Sequence, residues 1–403
     1  VDLLLRVCPD EDDTIEKLLE HYDELSDHIK VETKDPDLYP KFTSQYTDQT
    51  VAANSVIVVC GDKSKVVSNS DMWETSTNYQ TYQTQTTGFD GEGQITSAIT
   101  YVTSENNPKV YWVTGHGEAS ESDLSTNFSD AINKNNVEIS DLALMTDDIP
   151  EDAEELVIMS PTTDFSEDEA NKVITYLENG GKLLMFTSYT GTDMPNLDSI
   201  LENYGVKRSG GIVVETDSQH YYPQMPYYLL PNIQSDDITT EVKSNYILMP
   251  VAQAIQKLDS YRDTITIKSL LTTTEDAYIE NDPENSTWSK SADSETGAFD
   301  LGVSITETVD DKETQIIYFS SASMLSSQID QAISGANSKL AATALTSMCD
   351  VEQTVVIPSK STSYTNLVFT QGAVNTWSII TIAGIPLVLV VIGVMIWMKR
   401  RKQ

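Results

Sequence analysis

The sequence predicts an α/β protein with two soluble regions and one membrane-spanning helix at the C-terminus. Three observations lead there. Short apolar runs of strand length alternate with segments whose apolar residues recur at helical spacing. At 403 residues the chain is too long for one ordinary core. From Trp377 to Met398 no side chain is charged, and four basic residues follow at once.

In the first region Val1–Val7 is a strand candidate. Thr14–Leu25 carries Ile15, Leu18, Leu19, Tyr22 and Leu25 on one helical face. His28–Thr33 is a second strand, followed by the turn Asp35-Pro36-Asp37 and a short helix over Phe42–Tyr46. Ser55–Cys60 and Lys65–Val67 read as a hairpin around Gly61-Asp62. A βαβ start closed by a β-hairpin is a thioredoxin-like arrangement. The redox motif is absent, since Cys8-Pro9-Asp10-Glu11 has no second cysteine. Asn69–Gly93 is rich in Thr, Gln and Tyr and reads as a linker, with a connecting helix over Gln94–Thr103.

The second region opens on the strand Lys109–Thr114 and the turn Gly115-His116-Gly117-Glu118. A helix over Ser122–Asn133 and strands near Val137–Leu144 and Leu156–Met159 follow. Ser166 and Glu169 form a capping box for a helix that runs to Glu178 and stops at Gly180-Gly181. Lys182–Phe186 is the next buried strand. This order implies a parallel sheet with right-handed crossovers. Ile212–Glu215, Ile265–Leu271, Leu301–Thr306 and Gln315–Ser320 extend it, Ser326–Met348 adds a helix, and Val351–Gly372 is a tether.

The apolar segment Trp377–Met398, about 22 residues, spans ~33 Å as a helix, enough for a bilayer core of ~30 Å. Trp377 and Trp397 mark its two interfaces, and Lys399, Arg400, Arg401 and Lys402 are expected to stay cytoplasmic. That orientation places the bulk of the chain outside the cytoplasm. The chain starts at Val1 within a strand, so an upstream export signal or anchor is expected.

The formal charge is −37, from 62 acidic against 25 basic side chains, which disfavours nucleic acid as a partner. Solubility is the bland reading of that acidity. Asp10, Glu11, Asp12 and Asp13 lack the glycine and closing glutamate of a calcium loop. Cys8, Cys60 and Cys349 have no metal-ligand spacing, and no metal or cofactor is expected. A Cys8–Cys60 bridge is conceivable, although small buried hydrophobes are the favoured reading.

Taken together, these segments resemble the GldG-type family, auxiliary components of ABC transport systems related to gliding motility. The resemblance rests on residues in order along most of the chain. They are Asp35-Pro36-Asp37, Pro40, Tyr46 and Asn54–Val58, then Ser97–Thr103, Lys109-Val110-Tyr111 and Thr114–Glu118. Asp164, Glu167-Asp168-Glu169, Tyr176-Leu177, Gly180–Leu184 and Ser269–Thr273 complete them. The resemblance implies a thioredoxin-like domain, then a flavodoxin-like domain related to class I glutamine amidotransferases and to an intraflagellar-transport protein. It also implies an ABC-2-type permease and its ATPase as partners. The resulting division is 1–87 for the first domain with its linker, 88–107 for the connecting helix and 108–350 for the second domain. A tether at 351–374, the span at 375–398 and a basic tail at 399–403 complete it.

Amidotransferase chemistry needs a cysteine on a strand-to-helix turn, activated by a histidine. After Lys182–Phe186 the chain instead reads Thr187-Ser188-Tyr189, without a GxSxG turn around Ser188. No enzyme is expected, and a serine or cysteine beside His116 or His220 would reverse that. Two candidate contact sites remain. His116 and Glu118 follow the first strand of a parallel sheet, at the edge where such folds bind ligands. A strand-exit turn whose histidine bonds neighbouring backbone is the favoured alternative. Tyr221, Tyr222, Tyr227 and Tyr228 lie in an expected loop, His220–Leu230, which forms either an aromatic contact surface or a cover over the sheet edge. The sequence supports an extracytoplasmic accessory subunit that engages permease and cargo, with a stand-alone glycan- or peptide-binding module as the alternative.

Overall fold

A computed structural model describes residues 3–7, 12–35, 38–39, 41–48, 50–78, 83–104, 107–284, 287–349, 357, 360–361 and 369–401. The chain is mixed α/β, with a central sheet that contains parallel strands and an apolar C-terminal helix. It divides into two compact units, one of residues 1–110, 129–140 and 345–365 and one of 111–128, 141–344 and 366–403.

The first unit is built on β1 (Leu3–Val7), α1 (Asp13–Leu25), β2 (Val31–Lys34), β3 (Ser55–Cys60) and β4 (Lys63–Val67). The sheet order is β2-β1-β3-β4, with β1 parallel to β2 and antiparallel to β3. Strand β3 is apolar from Val56 onward because both of its faces are covered. Val56 and Val58 pack with Ile15 and Leu19 of α1 and with Ile95, Ala98 and Val102. Ile57 and Val59 face Phe42, Tyr46 and Val66. Asp12 of the acidic run caps α1, accepting from Thr14 N at 3.0 Å and Ile15 N at 3.4 Å. Cys8 lies outside the described residues.

The expected linker Asn69–Gly93 is structured over its described residues, 69–78 and 83–93. A turn at Asn69–Met72, boxed by Ser68 and Asp71, leads into β5 (Trp73–Asn78), which pairs antiparallel with β6 (Gln83–Phe89). Trp73 and Phe89 close the pair with ring centroids 4.7 Å apart. Polar composition misleads here because a ribbon with a wet face needs no apolar alternation, and its threonines and aromatics favour strands. Helix α2 (Gly91–Thr103) accordingly starts three residues early. Lys360–Ser361 pairs with β6, so this part of the expected tether is a short strand; most of the rest of 351–368 lies outside the described residues.

From β7 (Lys109–Val113) onward come α3 (Thr126–Lys134), β8 (Glu138–Leu142), β9 (Glu155–Met159), α4 (Glu167–Glu178), β10 (Lys182–Phe186), α5 (Pro195–Asn203) and β11 (Val206–Val214). Then follow β12 (Tyr221–Tyr222), β13 (Met225–Leu229), β14 (Asn232–Ile233), β15 (Met249–Pro250), β16 (Gln253–Lys257), β17 (Ile265–Thr272) and β18 (Tyr278–Glu280). β19 (Asp300–Val309), β20 (Lys312–Phe319), α6 (Ser327–Ala332) and α7 (Ala336–Met348) complete the soluble part. The expected helix at Ser122 begins only at Thr126, after a turn capped by Ser120 and Asp123. The expected single helix Ser326–Met348 is two helices, broken where Ser334 takes a φ of 58°.

The large sheet runs β18-β11-β16-β19-β20-β10-β9-β7-β8, with β17 beside β19 and β14 beside β17. β9, β10 and β20 are parallel neighbours. Of the later strands, β20 joins the core parallel to β10 as expected, whereas β19, β17, β16 and β11 extend the sheet antiparallel, not parallel as the sequence order suggested. The cause is local in one case: Asp310 and Asp311 both have positive φ and form a two-residue hairpin, which returns β20 beside β19 without a crossover. Val157, Ile158 and Met159 of β9 and Leu183–Phe186 of β10 are fully buried.

The C-terminal helix Gln371–Arg401 has 31 residues and is long and apolar enough to cross a membrane. It widens to a π-helical turn at Ile380–Gly384. Pro386, which has no N–H to donate, follows just downstream.

Candidate functional site

The turn after β7 is held by two glycines. Gly115 and Gly117 have φ of 120° and 76°, and a Cβ on Gly117 would collide with Thr162 Oγ1. The loop is pinned from both flanks. Trp112 Nε1 donates to Ala119 O at 2.9 Å, and Ala119 N donates to Met159 O at 3.0 Å. His116 O accepts from Thr162 N at 2.8 Å and Thr163 N at 3.1 Å.

His116 is 5% exposed. Its Nδ1 lies 3.3 Å from Glu118 Oε1, and its Nε2 lies 3.3 Å from Glu169 Oε2. The ring also packs on Phe165, centroids 4.4 Å apart. Glu118 Oε2 accepts from His116 N at 2.7 Å, which closes the turn on itself. Glu169 Oε2 accepts from Ser166 N at 2.9 Å and Ser166 Oγ at 2.7 Å, so one carboxylate caps α4 and holds the imidazole. Burial pushes the Glu169 carboxyl up. The Ser166 hydrogen bonds and the neighbouring His116 outweigh that and hold it below the usual range.

This geometry is a pin, since both ring nitrogens are turned to carboxylates. They point in opposite directions, so the two glutamates and the ring cannot converge on one ion. Among the described residues no group of three or more His, Cys, Asp or Glu side chains could hold a metal. Sequence reasoning singled out His116 and Glu118 but missed Glu169 as their partner. Its signal was the capping box, which gave no hint of a second role.

The expected loop His220–Leu230 is a hairpin. β12 pairs with β13, β13 pairs with β15, and Gln224 turns the chain at φ 67°. The two prolines suggested a loop, but Pro223 sits beside the turn and Pro226 lies within β13. Tyr221, Tyr222, Tyr227 and Tyr228 are half-buried. Tyr227 packs tilted against Trp288, with ring centroids 4.4 Å apart, and meets Tyr228 edge-on at 5.4 Å. The structure gives these tyrosines to a three-stranded sheet separate from the one that contains β7.

His220 Nδ1 lies 3.0 Å from Asp217 Oδ2, and its Nε2 lies 3.2 Å from Asn232 Oδ1. Ser188 Oγ accepts from Ser160 Oγ at 2.8 Å. These partners do not assemble the nucleophile–base pair that acyl transfer needs. At the anchor, Trp377 and Trp397 are 62% and 58% exposed, and the Arg401 guanidinium lies 5.2 Å from the Trp397 ring centroid. Lys399 and Arg400 precede it in the last turn, while Lys402 lies outside the described residues.

No curated protein matches the chain. Among solved structures, the N-terminal domain of mmIFT52 is similar at 15% identity over 60% of this chain and 96% of that one, with a TM-score of 0.44. A ThuA-like protein from Parabacteroides merdae is 12% identical over 66% and 99%, with a TM-score of 0.33. The exo-β-1,4-mannosidase Op5Man5 from Opitutaceae bacterium strain TAV5 is 10% identical over 66% and 38%, with a TM-score of 0.31. At these identities and scores no activity is carried over. The family comparison is of another kind, because its match covers residues 107–347, more than half of the chain. The chain belongs to the family described as ABC-type uncharacterized transport system, whose members are auxiliary components of such systems.

Proposed function

We propose that this chain is a non-catalytic accessory subunit of an ABC-2-type transporter, anchored by Gln371–Arg401 with its soluble bulk outside the cytoplasm. The observation that carries the reading is the family match over 107–347, joined in one chain to an apolar helix ending in Lys399, Arg400 and Arg401. Basic residues at that end favour a cytoplasmic C-terminus. The chain has no phosphate-binding GK[ST] loop, so energy for transport comes from a partner ATPase. The order β2-β1-β3-β4 supports a thioredoxin-like first domain within 1–87, and the parallel β9-β10-β20 core supports a flavodoxin-like domain within 108–350. Within this role we assign His116 and Glu118 to holding the loop after β7. Tyr221, Tyr222, Tyr227 and Tyr228 are assigned to a contact surface.

Purification of the full chain in mild detergent tests the reading. Recovery of a permease and its ATPase is the expected result, and clean isolation of this chain alone counts against the complex. For orientation, protease should digest the bulk of the chain in spheroplasts and spare it in inverted vesicles.

A further inference from the structure

In this acidic chain, no side chain from Tyr221 to Ser235 carries a formal charge. That stretch includes the β12–β13 hairpin, whose tip exposes Gln224 and Met225, the latter by 37%. The first turn of the C-terminal helix is fastened to the same place. Gln224 N donates to Gln371 Oε1 at 2.9 Å, Gly372 N donates to Ser218 O at 2.6 Å, and Thr370 Oγ1 donates to Gln219 Oε1 at 3.0 Å. Gly372 is buried so closely against Gln219 that a Cβ there would overlap its side-chain amide. Helix exposure begins at Val374, and Phe369, just before the helix, is 49% exposed.

The distance along the helix is short. From Gln371 to Trp377 the axial rise is ~9 Å. The headgroup layer on each side of a bilayer is ~5–8 Å thick. With Trp377 at the hydrocarbon boundary, Gln371 and the Gln224 backbone bonded to it lie at the outer edge of the headgroup layer. We propose that the β12–β13 hairpin rests on the lipid headgroup surface, with the uncharged tip Pro223–Pro226 facing zwitterionic phospholipid. Electrostatics permits contact by this face, which the start of the helix holds next to the span. A body of formal charge −37 is repelled by anionic lipid, so an uncharged segment is the one that approaches a bilayer without that penalty. Tyr227 and Tyr228, with Trp288 packed against Tyr227, bring to the hairpin the residue types that favour an interface. The inference rests on reading Gln371–Arg401 as the anchor.

The test uses the full chain, without partners, in phosphatidylcholine vesicles that contain a headgroup-spin-labelled lipid. Met225→Cys and Met145→Cys chains carry a fluorophore, and labelled wild type is measured in parallel to subtract native thiols. Met145 is 71% exposed and serves as the comparator. Quenching at position 225 should exceed that at 145 by at least about threefold, since only a group within the headgroup layer lies beside the quencher. Flotation of the vesicles reports anchoring independently. A chain that floats with equal quenching at both positions overturns the hairpin proposal alone, and so does quenching at 225 that appears only after a permease is added. A chain that does not float overturns the anchor and the hairpin proposal together.

Discussion

Replacing Glu169 by glutamine separates the pin from an open ligand contact. Glutamine keeps an acceptor for Ser166 N, so the capping geometry survives. What disappears is the charge, which now lies 3.3 Å from His116 Nε2 and at the start of α4. A charge at a helix N-terminus contributes ~0.3–1 kcal/mol and a hydrogen bond to a charged group ~1.5–3 kcal/mol, so the expected loss is ~2–4 kcal/mol. That corresponds to a fall in melting temperature of ~5–15 °C. Tryptophan emission of the full chain in detergent is a suitable probe, because Trp112 is 1% exposed and bonded to the same loop. The sign with pH follows from the depressed Glu169 carboxyl. Its stabilisation is complete above the ordinary glutamate value and is lost as pH falls through the lower, folded-state value. The gap between wild type and Glu169→Gln should therefore close in acid. An unchanged melting temperature at neutral pH, or a gap of equal size in acid, would refute the pin.

Three further perturbations follow from the packing. Burial lowers the Lys65 amine to about 8, beside Asn136, Asn133 O and the Tyr101 ring. The neutral amine is favoured by the fold, so the cost of charging it is present below that value and is relieved as pH rises toward the unfolded one. Lys65→Met should stabilise the chain by ~1–2 kcal/mol at pH ~7 and by less at pH ~10, read from urea midpoints. Arg262 forks onto Glu307 with two bonds of 2.7 Å and holds that carboxyl below its usual range. Arg262→Ala should cost ~2–4 kcal/mol, less than for a fully buried pair because the guanidinium is half in solvent, and the loss should shrink in acid melts. Asp330 is fully buried and accepts from Ser125 Oγ, Asn127 Nδ2, Ser338 N and Ser338 Oγ at 2.7–2.9 Å. Asp330→Ala leaves those donors unpaired, and a loss of ~3–5 kcal/mol is expected in chemical denaturation.

Local signals were readable in the amino-acid order. The Ser166–Glu169 box, the helical face of Ile15 and Leu19, the apolar strand β3 and the C-terminal span each depend on one continuous stretch of sequence. Where polar residues form structure, the reading failed. Asn69–Gly93 and His220–Leu230 carry Thr, Gln, Tyr and Pro in proportions common to loops and to ribbons alike, and only pairing decides between them. The same holds for the direction of the later strands, which depends on hairpins and crossovers and not on strand composition.

By itself the sequence determined the α/β class, the family resemblance and the membrane helix, because periodicity, helix caps and transfer of apolar side chains from water act over short stretches of chain. Only the tertiary structure decided that Glu169, more than fifty positions downstream, clamps His116, and that Gln371 is fastened to the hairpin at Gln224. Such pairs form because the path of the backbone brings distant groups within hydrogen-bond reach after the core has buried its apolar faces, and no local pattern records which groups will meet.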